Sequence, residues 1–318
     1  MIIFIIPALA LLLDRILGEP RKYHPLVGFG ILASKLEKNL NKEAKNTRLK
    51  RASGIFAWGI LCLPLPLVAY FLQLYLFMFS ELIGVIFSSV LLYLAIGMNS
   101  LNEHAMAVYS RLSEDNIDGA RKAVSMMVSR KCEALQSEEI SRATIESVLE
   151  NGHDAVIGSL FWFMIGGVPL VILHRLVNTL DAMWGYRNSR FKSFGWFAAK
   201  FDDLMGWPSA KLTAMLYLVA GKVRHLKFFI RLAAVQARQY KSLNGGWAMS
   251  AGASALNICL GGNAVYHGKE IMSPALGRGD NPVVLHIKKA CKLVEKAAWL
   301  SAFLCFVYGV AGGSLLWH

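Results

Sequence analysis

Two long uncharged segments, residues 53–79 and 82–98, constrain this chain more than any other feature of its sequence. Only Ser80 and Glu81 separate them. A membrane-spanning helix needs about 20 apolar residues, and a charge at its centre costs ~2.5–3.5 kcal/mol. The two segments therefore predict a helical hairpin that crosses a membrane twice and returns to the side from which it started.

The composition of the whole chain agrees with a membrane protein. Its 318 residues are 55% hydrophobic and only 17% charged, with a mean hydropathy of +0.43. A soluble domain of this length would carry more charge and would lack long uncharged runs. We therefore predict an all-α polytopic integral membrane protein with about four or five transmembrane helices and additional amphipathic or soluble helices.

No linker or internal repeat divides the chain, which predicts a single membrane-embedded domain over residues 1–318. Apolar spans are expected near residues 2–17, 53–79, 82–98, 155–177 and 297–316. Polar lobes are expected at residues 99–154, 178–210 and 222–295.

The chain is strongly basic, with 34 Lys and Arg against 21 Asp and Glu and a net charge of +13. Residues 35–51 hold seven basic side chains against Glu37 and Glu43, which is the pattern of a cytoplasmic loop. We attribute most of the charge to topology and to contact with anionic lipid rather than to nucleic acid. This pattern predicts a multi-pass protein of the cytoplasmic (inner) membrane.

The first chemical cluster consists of Glu146, Glu150 and Asp154, which follow one another at intervals of four residues. On an α-helix such residues lie within about 80° of one another, and like charges at this spacing destabilise a helix. Something positive must therefore compensate them. One alternative is Mg²⁺, which prefers a few carboxylates together with phosphate oxygens. The other is a Lys or Arg side chain from a neighbouring helix.

The second cluster spans residues 178–207 and mixes amide, acidic, basic and aromatic side chains. Arg side chains can grip phosphate with two hydrogen bonds, and the adjacent pair Asp202–Asp203 could hold a metal or transfer a proton. A juxtamembrane loop with basic anchors and an aromatic belt is the alternative. That alternative accounts for the Arg and Trp residues but not for Asn178, Asp181 or the Asp pair.

The location of this second cluster depends on residues 155–177. If that segment crosses the membrane completely, the cluster lies opposite the basic loop at residues 35–51. Gly166, Gly167 and Pro169 interrupt the apolar run. We therefore predict that the segment is re-entrant, or paired with residues 212–221, so that the cluster stays on the cytoplasmic side.

A third segment, residues 244–268, is rich in small residues. The glycines before residue 257 favour close helix packing. For Gly261, Gly262 and Asn263 two interpretations stay open, namely helix packing and a loop whose backbone N–H groups hold an anion.

Four motifs in this order resemble the CobD/CbiB family of cobalamin-biosynthesis proteins. They are DRILGEPRKYHP at 14–25, IESVLENGHD at 145–154, VNTLDAMWGYRNSRFKSFGWFAAKFDDLMGW at 177–207, and NGGW with LGG and YHG at 244–268. The sequence departs from the family pattern at Glu19, where Asp is commoner, and at Leu243, where Pro is usual.

The resemblance implies a membrane-bound ligase, an adenosylcobinamide-phosphate synthase. Its substrates would be adenosylcobyric acid, a corrinoid, and aminopropanol phosphate or a related amino-alcohol phosphate. ATP would be the co-substrate and Mg²⁺ the cofactor, with the active site on the cytoplasmic side. Membrane lipid, other cobalamin-pathway enzymes and further copies of the chain are candidate partners. A non-catalytic AmpE-like membrane sensor is the alternative. A transporter ranks last because the apolar runs hold almost no ionisable residues.

The resemblance, together with the residue types, assigns candidate roles. The candidate metal ligands are Glu146, Glu150 and Asp154. The candidate catalytic residues are Asp181, Asp202 and Asp203, the last two as alternative bases for the attacking amine. The candidate substrate-binding and phosphate-binding residues are Asn178, Arg187, Arg190, Lys200, His24, Asn244 and Tyr266.

Overall fold

The computed structural model describes residues 2–20, 25–42, 46–266 and 269–311, without the side chains of residues 2–3, 263–266 and 269–272. Helices contain most of the described residues. They are α1 (Ile6–Leu17), α2 (Pro25–Leu40), α3 (Thr47–Cys62), α4 (Pro64–Phe79), α5 (Glu81–Ala95), α6 (Met98–Ser113), α7 (Ile117–Ser125), α8 (Ser137–Asn151), α9 (Gly158–Trp184), α10 (Trp196–Ala220), α11 (Leu226–Gln239), α12 (Leu243–Ala255) and α13 (Leu285–Val310). A 3₁₀ turn at Ile2–Ile5 precedes α1, and a π-helical turn at Gly152–Ile157 joins α8 to α9.

The predicted helical membrane fold is confirmed. Within the described ranges, four helical segments are long and apolar enough to cross a membrane: Thr47–Phe79, Glu81–Ser113, Ser137–Trp184 and Leu285–Val310. They contain the predicted runs 53–79, 82–98 and 155–177 and most of the last one. Residues 2–17 are also helical and mostly apolar. This segment is too short to be counted with the four helices that could cross a membrane.

A β-hairpin was not predicted. Strands β1 (Cys259–Tyr266) and β2 (Lys269–Gly277) pair antiparallel, with an irregularity between Leu260 and Gly262. At this irregularity Gly261 and Gly262 have φ angles of +88° and +93°, which residues with a side chain rarely adopt. Both interpretations of these glycines, a packed helix and a loop, are therefore wrong about the backbone conformation. Glycine disfavours strands in general, which explains why the segment carries so weak a strand signal.

The chain forms two compact units that are each discontinuous in sequence. Unit one contains residues 1–96, 159–206 and 305–318, and unit two contains residues 97–158 and 207–304. The chain thus passes from one unit to the other after residues 96, 158, 206 and 304. The single embedded domain stays a prediction.

In unit one, glycine allows a turn of the chain to approach a helix closely. The aromatic core there includes Trp58, Trp184 and Phe194, whose rings are buried. A Cβ atom on Gly54 would lie 1.9 Å from the carbonyl oxygen of Phe194. The absence of a side chain at residue 54 therefore lets α3 pack against the backbone of the segment that follows α9.

Helix α9 is broken where the sequence predicts it. Gly166 and Gly167 have non-helical backbone angles, and the helix resumes at Val168. The side-chain oxygen of Gln73 in α4 accepts a hydrogen bond of 3.1 Å from the N–H of Val168. A break in an apolar helix exposes backbone N–H groups that need a partner, and the buried Gln73 supplies one. The break is confirmed, whereas a re-entrant path stays a prediction.

In unit two, α11 packs closely on α12. A Cβ atom on Gly246 would lie 2.7 Å from the Cα atom of Ala237. The second glycine of the NGGW motif therefore permits the two helix backbones to approach each other, as predicted for the glycines of this segment. Strand β2 packs against the same pair of helices.

Candidate functional site

A small polar cavity in unit two contains two of the three predicted metal ligands. We call it the Glu146–Glu150 pocket, and its volume is about 130 Å³. It is lined by Met127, Val128, Ser129, Arg130, Ala143, Glu146, Ser147, Glu150, Asn151, Tyr240 and Lys241. The carboxylates of α8 thus face two cations, Arg130 and Lys241, that the sequence analysis did not single out.

Both carboxylate oxygens of Glu146 accept hydrogen bonds from the protein. Arg130 Nη2 lies 3.0 Å from Oε2, and the N–H of Gly261 donates to Oε1 over 3.0 Å. The side chains of Arg130 and Glu146 are 8% and 14% exposed, so this is a largely buried pair. For Glu146 the cation expected to compensate the acidic face is therefore an arginine. The anion at the glycine N–H is the carboxylate of Glu146 itself.

Glu150 belongs to α8, and its carboxylate lies close to the N-terminus of α12. A Cβ atom on Gly245 would be only 2.6 Å from Oε1 of Glu150, so the first glycine of NGGW leaves room for the carboxylate. The Ser242 hydroxyl caps this helix by accepting a hydrogen bond of 3.1 Å from the N–H of Gly245. A helix N-terminus stabilises negative charge. Glu150 also interacts electrostatically with Asp154 and Lys241.

Asp154 is held differently, because it lies in the π-helical turn. Its Oδ1 atom is 2.7 Å from Nδ1 of His153, although the angle is not that of a hydrogen bond. The other ring nitrogen of His153 lies 3.0 Å from the hydroxyl of Ser209, and both of these residues are fully buried. No role was predicted for His153, whereas the structure has its buried ring directly beside the carboxylate of Asp154.

The π-helical turn also alters the predicted geometry of the acidic face. Its i→i+5 pattern changes the angular spacing of residues that an α-helix would place in line. Such turns are frequent at functional sites. Asp154 accordingly is not among the residues that line the pocket of Glu146 and Glu150.

The carboxylates of this region fit Mg²⁺ only in part. Among the described residues, no group of three His, Cys, Asp or Glu side chains forms a ready metal site. Protein donors occupy both oxygens of Glu146, so a metal ion would have to displace one of them to bind there. Mg²⁺ commonly uses one or two carboxylates and completes its shell with water and phosphate oxygens. The metal assignment of Glu146, Glu150 and Asp154 stays a prediction.

The predicted residues of α9 lie in unit one. Asn178 and Asp181 are half-buried on this helix, three residues apart. The N–H of Gly185 donates a hydrogen bond of 2.7 Å to the backbone oxygen of Asp181, and a Cβ atom on Gly185 would lie 2.1 Å from the carboxylate Oδ1. The carboxylate of Asp181 therefore covers the end of the helix, and glycine is needed there. Arg187 follows as an exposed residue.

Lys200, Asp202 and Asp203 lie in the first turns of α10, also in unit one. Nζ of Lys200 is 3.5 Å from Oδ2 of Asp203, and both side chains are more than half exposed. Exposed ion pairs of this kind stabilise a protein by only about 0–1 kcal/mol. The ion pair therefore contributes little to stability, and the roles predicted for these residues stay predictions.

Arg190 binds an acidic residue that the sequence analysis did not select. Its Nε and Nη2 atoms donate to the two carboxylate oxygens of Glu37 in α2, over 3.0 and 2.6 Å. Glu37 is only 3% exposed and also accepts a hydrogen bond of 2.7 Å from Asn41. Burial raises the pKa of Glu37, but the hydrogen bonds from Arg190 and Asn41 outweigh it and hold the pKa below the usual 4.5.

This ion pair predicts a pH-dependent stability. A carboxyl group with a lowered pKa stabilises the folded state above its unfolded pKa, and this stabilisation is lost as the pH falls through the folded pKa. At neutral pH, Glu37→Gln should therefore lower the free energy of unfolding by roughly 1.5–3 kcal/mol. The difference in stability between the variant and the wild type should shrink as the pH falls below 4.5, the usual pKa of a glutamate. Thermal unfolding of detergent-solubilised protein between about pH 7 and pH 3 measures it.

The exposed Glu81, also in unit one, provides a matched control. Glu81→Gln removes the same charge and should leave stability within about 0.5 kcal/mol of the wild type. A stability loss for Glu37→Gln that persists undiminished in acid would contradict the assignment to the carboxylate.

Three other predicted substrate-binding residues have partial descriptions. Asn244 is buried in the first turn of α12. His24 lies outside the described residues. The backbone of Tyr266 belongs to β1, but its side chain lies outside the described part of the chain.

Known proteins resemble this chain over most of its length. A family model described as CobD/Cbib protein matches residues 7–294. A relative from Stutzerimonas stutzeri, named cobalamin biosynthesis protein CobD, is 47% identical over 93% of this chain and 95% of its own length. A protein of the same name from Chromobacterium violaceum is 43% identical, over 96% and 97% of the two chains. One from Halalkalibacterium halodurans is 33% identical over 95% of each.

No solved structure matches the chain. The family model nevertheless covers every motif on which the resemblance was based, including the segments that form the Glu146–Glu150 pocket. The chain therefore belongs to the CobD/CbiB family of cobalamin biosynthesis proteins.

Proposed function

We propose that this protein joins the carboxylate of adenosylcobyric acid to the amine of aminopropanol phosphate, or of a related amino-alcohol phosphate, to give adenosylcobinamide phosphate. The observation that carries the proposal is the match to relatives named cobalamin biosynthesis protein CobD over more than nine-tenths of both chains. The amide-forming step is the activity implied by the family resemblance.

The reaction needs an activated carboxylate, because an amine does not displace oxygen from a carboxylate directly. In the proposed reaction, a carboxylate oxygen of adenosylcobyric acid first attacks the γ-phosphorus of ATP, and ADP leaves. The amine nitrogen then attacks the acyl carbon of the resulting acyl phosphate. The C–N bond forms, phosphate leaves with the C–O electron pair, and the nitrogen loses one proton to a base.

Glu150 and Asp154 are the proposed ligands of Mg²⁺, which would neutralise phosphate charge when bound. Glu150 is suited to this role because its carboxylate lies against Gly245, near the N-terminus of α12, and lines a polar pocket. The His153 ring lies on one side of the Asp154 carboxylate, 2.7 Å from its Oδ1 atom. Glu146 is proposed to support the site through its pair with Arg130, which keeps α8 in place.

The residues of unit one are proposed to bind and deprotonate the substrates. Arg187, Arg190 and Lys200 offer cations for phosphate groups. Asp202 or Asp203 would take the proton of the attacking amine. Asp203 is exposed beside Lys200, so it could pass this proton to water. The remaining proposed substrate-binding or catalytic residues are Asn178, Asp181, His24, Asn244 and Tyr266.

A direct assay tests the proposal. Membranes from cells that lack their own family member, but produce this chain, should form adenosylcobinamide phosphate from adenosylcobyric acid, aminopropanol phosphate and ATP. Mass spectrometry should detect the amide, with one ADP released for each amide formed. Chelation should stop the reaction, and added Mg²⁺ should restore it. A correctly inserted protein that forms no amide would favour the non-catalytic, AmpE-like alternative.

A further inference from the structure

Unit one contains a basic cavity in which Arg190 is joined by four residues that have no proposed role. Its volume is about 430 Å³, and it is lined by Lys38, Asn41, Lys50, Ser189 and Arg190. Lys38 lies near the end of α2 and Lys50 in the first turn of α3, whereas Ser189 and Arg190 belong to the turn that follows α9. The cavity therefore brings together side chains that are about 140 to 150 positions apart in the chain.

Hydrogen bonds hold the two walls of this cavity together. Arg190 binds both carboxylate oxygens of the buried Glu37. Nδ2 of Asn41 donates to Glu37 over 2.7 Å and to the backbone oxygen of Arg190 over 3.0 Å. The N–H of Phe191 donates to the side chain of Asn188 over 2.9 Å, which closes the turn. The position of Arg190 is thus set before any ligand arrives.

The charge of the cavity favours an anion. Among the described residues, three cations, Lys38, Lys50 and Arg190, face one carboxylate, Glu37, which leaves an excess of two positive charges. Among the described residues, neither Lys38 nor Lys50 has a carboxylate at ion-pair distance. Positive-inside topology explains why basic residues are present, but it depends only on their number. It does not require a buried glutamate that fixes an arginine beside two lysines.

The polar groups of the cavity favour an anion that can also donate a hydrogen bond. Ser189 offers a hydroxyl, and the side-chain oxygen of Asn41 is buried without a donor within the described part of the chain. Hydrogen phosphate supplies both the charge and a hydroxyl donor, as does the glycerol phosphate headgroup of an anionic lipid. Lysine and arginine are the usual ligands of phosphate groups.

We propose that the cavity formed by Lys38, Asn41, Lys50, Ser189 and Arg190 is a phosphate-binding site. The phosphate can belong to a soluble phosphate monoester or to the headgroup of an anionic lipid. The inference extends the phosphate-binding role proposed for Arg190. It concerns binding alone and does not depend on the amide-forming reaction.

The test uses two double variants with the same loss of charge. Lys38→Gln with Lys50→Gln removes two lysines that line the cavity. Lys35→Gln with Arg48→Gln removes two exposed cations from the same two helices, neither of which lines it. Both variants should unfold at the same temperature as the wild type, since all but Lys50 of these side chains are exposed and none has a described ion pair.

Two binding measurements separate the sources of the phosphate. In the first, full-length protein in nanodiscs of neutral phosphatidylcholine is dialysed against radiolabelled inorganic phosphate. In the second, native mass spectrometry counts the phosphatidylglycerol retained by protein from mixed phosphatidylcholine and phosphatidylglycerol vesicles. The cavity variant should bind about 100-fold more weakly in at least one of them, since each charge-assisted contact contributes about tenfold.

The control variant should bind like the wild type in the same measurement. A loss confined to inorganic phosphate would assign the site to soluble phosphates, and a loss confined to phosphatidylglycerol would assign it to lipid headgroups. Equal binding by the two double variants in both measurements would overturn the proposal, because the basic residues would then act only through their total charge.

Discussion

Glu150→Gln is expected to lower the rate of adenosylcobinamide phosphate formation by about a thousandfold or more, which corresponds to ~4 kcal/mol of transition-state stabilisation. The substitution keeps the size of the side chain, so that its packing against Gly245 is retained. It removes the charge proposed to hold Mg²⁺ opposite the substrate phosphates. The rate is measured in membranes under saturating ATP, with the unfolding temperature as the test of folding.

Two further variants of α8 make this expectation specific. Glu138→Gln removes an exposed glutamate that pairs with Arg142, and it should leave the rate unchanged. Glu146→Gln should instead lower the stability by roughly 3–5 kcal/mol, because it leaves the buried Arg130 without its carboxylate. A Glu150→Gln protein with wild-type activity would refute the proposed role of Glu150, even if the amide-forming reaction itself were established.

Substitution by alanine is expected to lower the activity at Gly245 and the stability at Gly246, although the two glycines are adjacent in α12. In Gly245→Ala the new methyl group would meet Oε1 of Glu150 at 2.6 Å, the movable end of a side chain. The carboxylate can move aside, so activity should fall at least about tenfold while the stability changes by less than about 1 kcal/mol.

In Gly246→Ala the methyl group would meet the Cα atom of Ala237 at 2.7 Å, and backbone atoms cannot give way without separating α11 from α12. The free energy of unfolding should therefore fall by roughly 1–3 kcal/mol. Each variant is the control for the other, since both add one methyl group to the same helix and gain the same helix propensity. Parallel measurements of activity and of thermal unfolding compare them. Equal effects of the two variants on both quantities would contradict this geometry.

The acidic motif illustrates how far sequence reasoning reaches at the candidate site. The four-residue spacing predicted that Glu146, Glu150 and Asp154 need positive partners. In the structure Arg130 pairs with Glu146, and Lys241 lines the same pocket as Glu150. The identity of these partners was not predictable, since neither residue has a distinctive pattern around it. The π-helical turn was not predictable either, because nothing in a four-residue spacing distinguishes it from a continuous α-helix.

The sequence by itself determined the membrane-spanning segments, the break at Gly166–Gly167 and the family to which the chain belongs. These depend on properties of contiguous residues, namely the length of an uncharged run, the backbone freedom of glycine and ordered motifs. Only the tertiary structure decided which groups meet. Arg190 binds a glutamate 153 positions away, and Gly261 donates to a glutamate 115 positions away. Such contacts arise because helix packing brings distant residues together, and no local pattern encodes that distance.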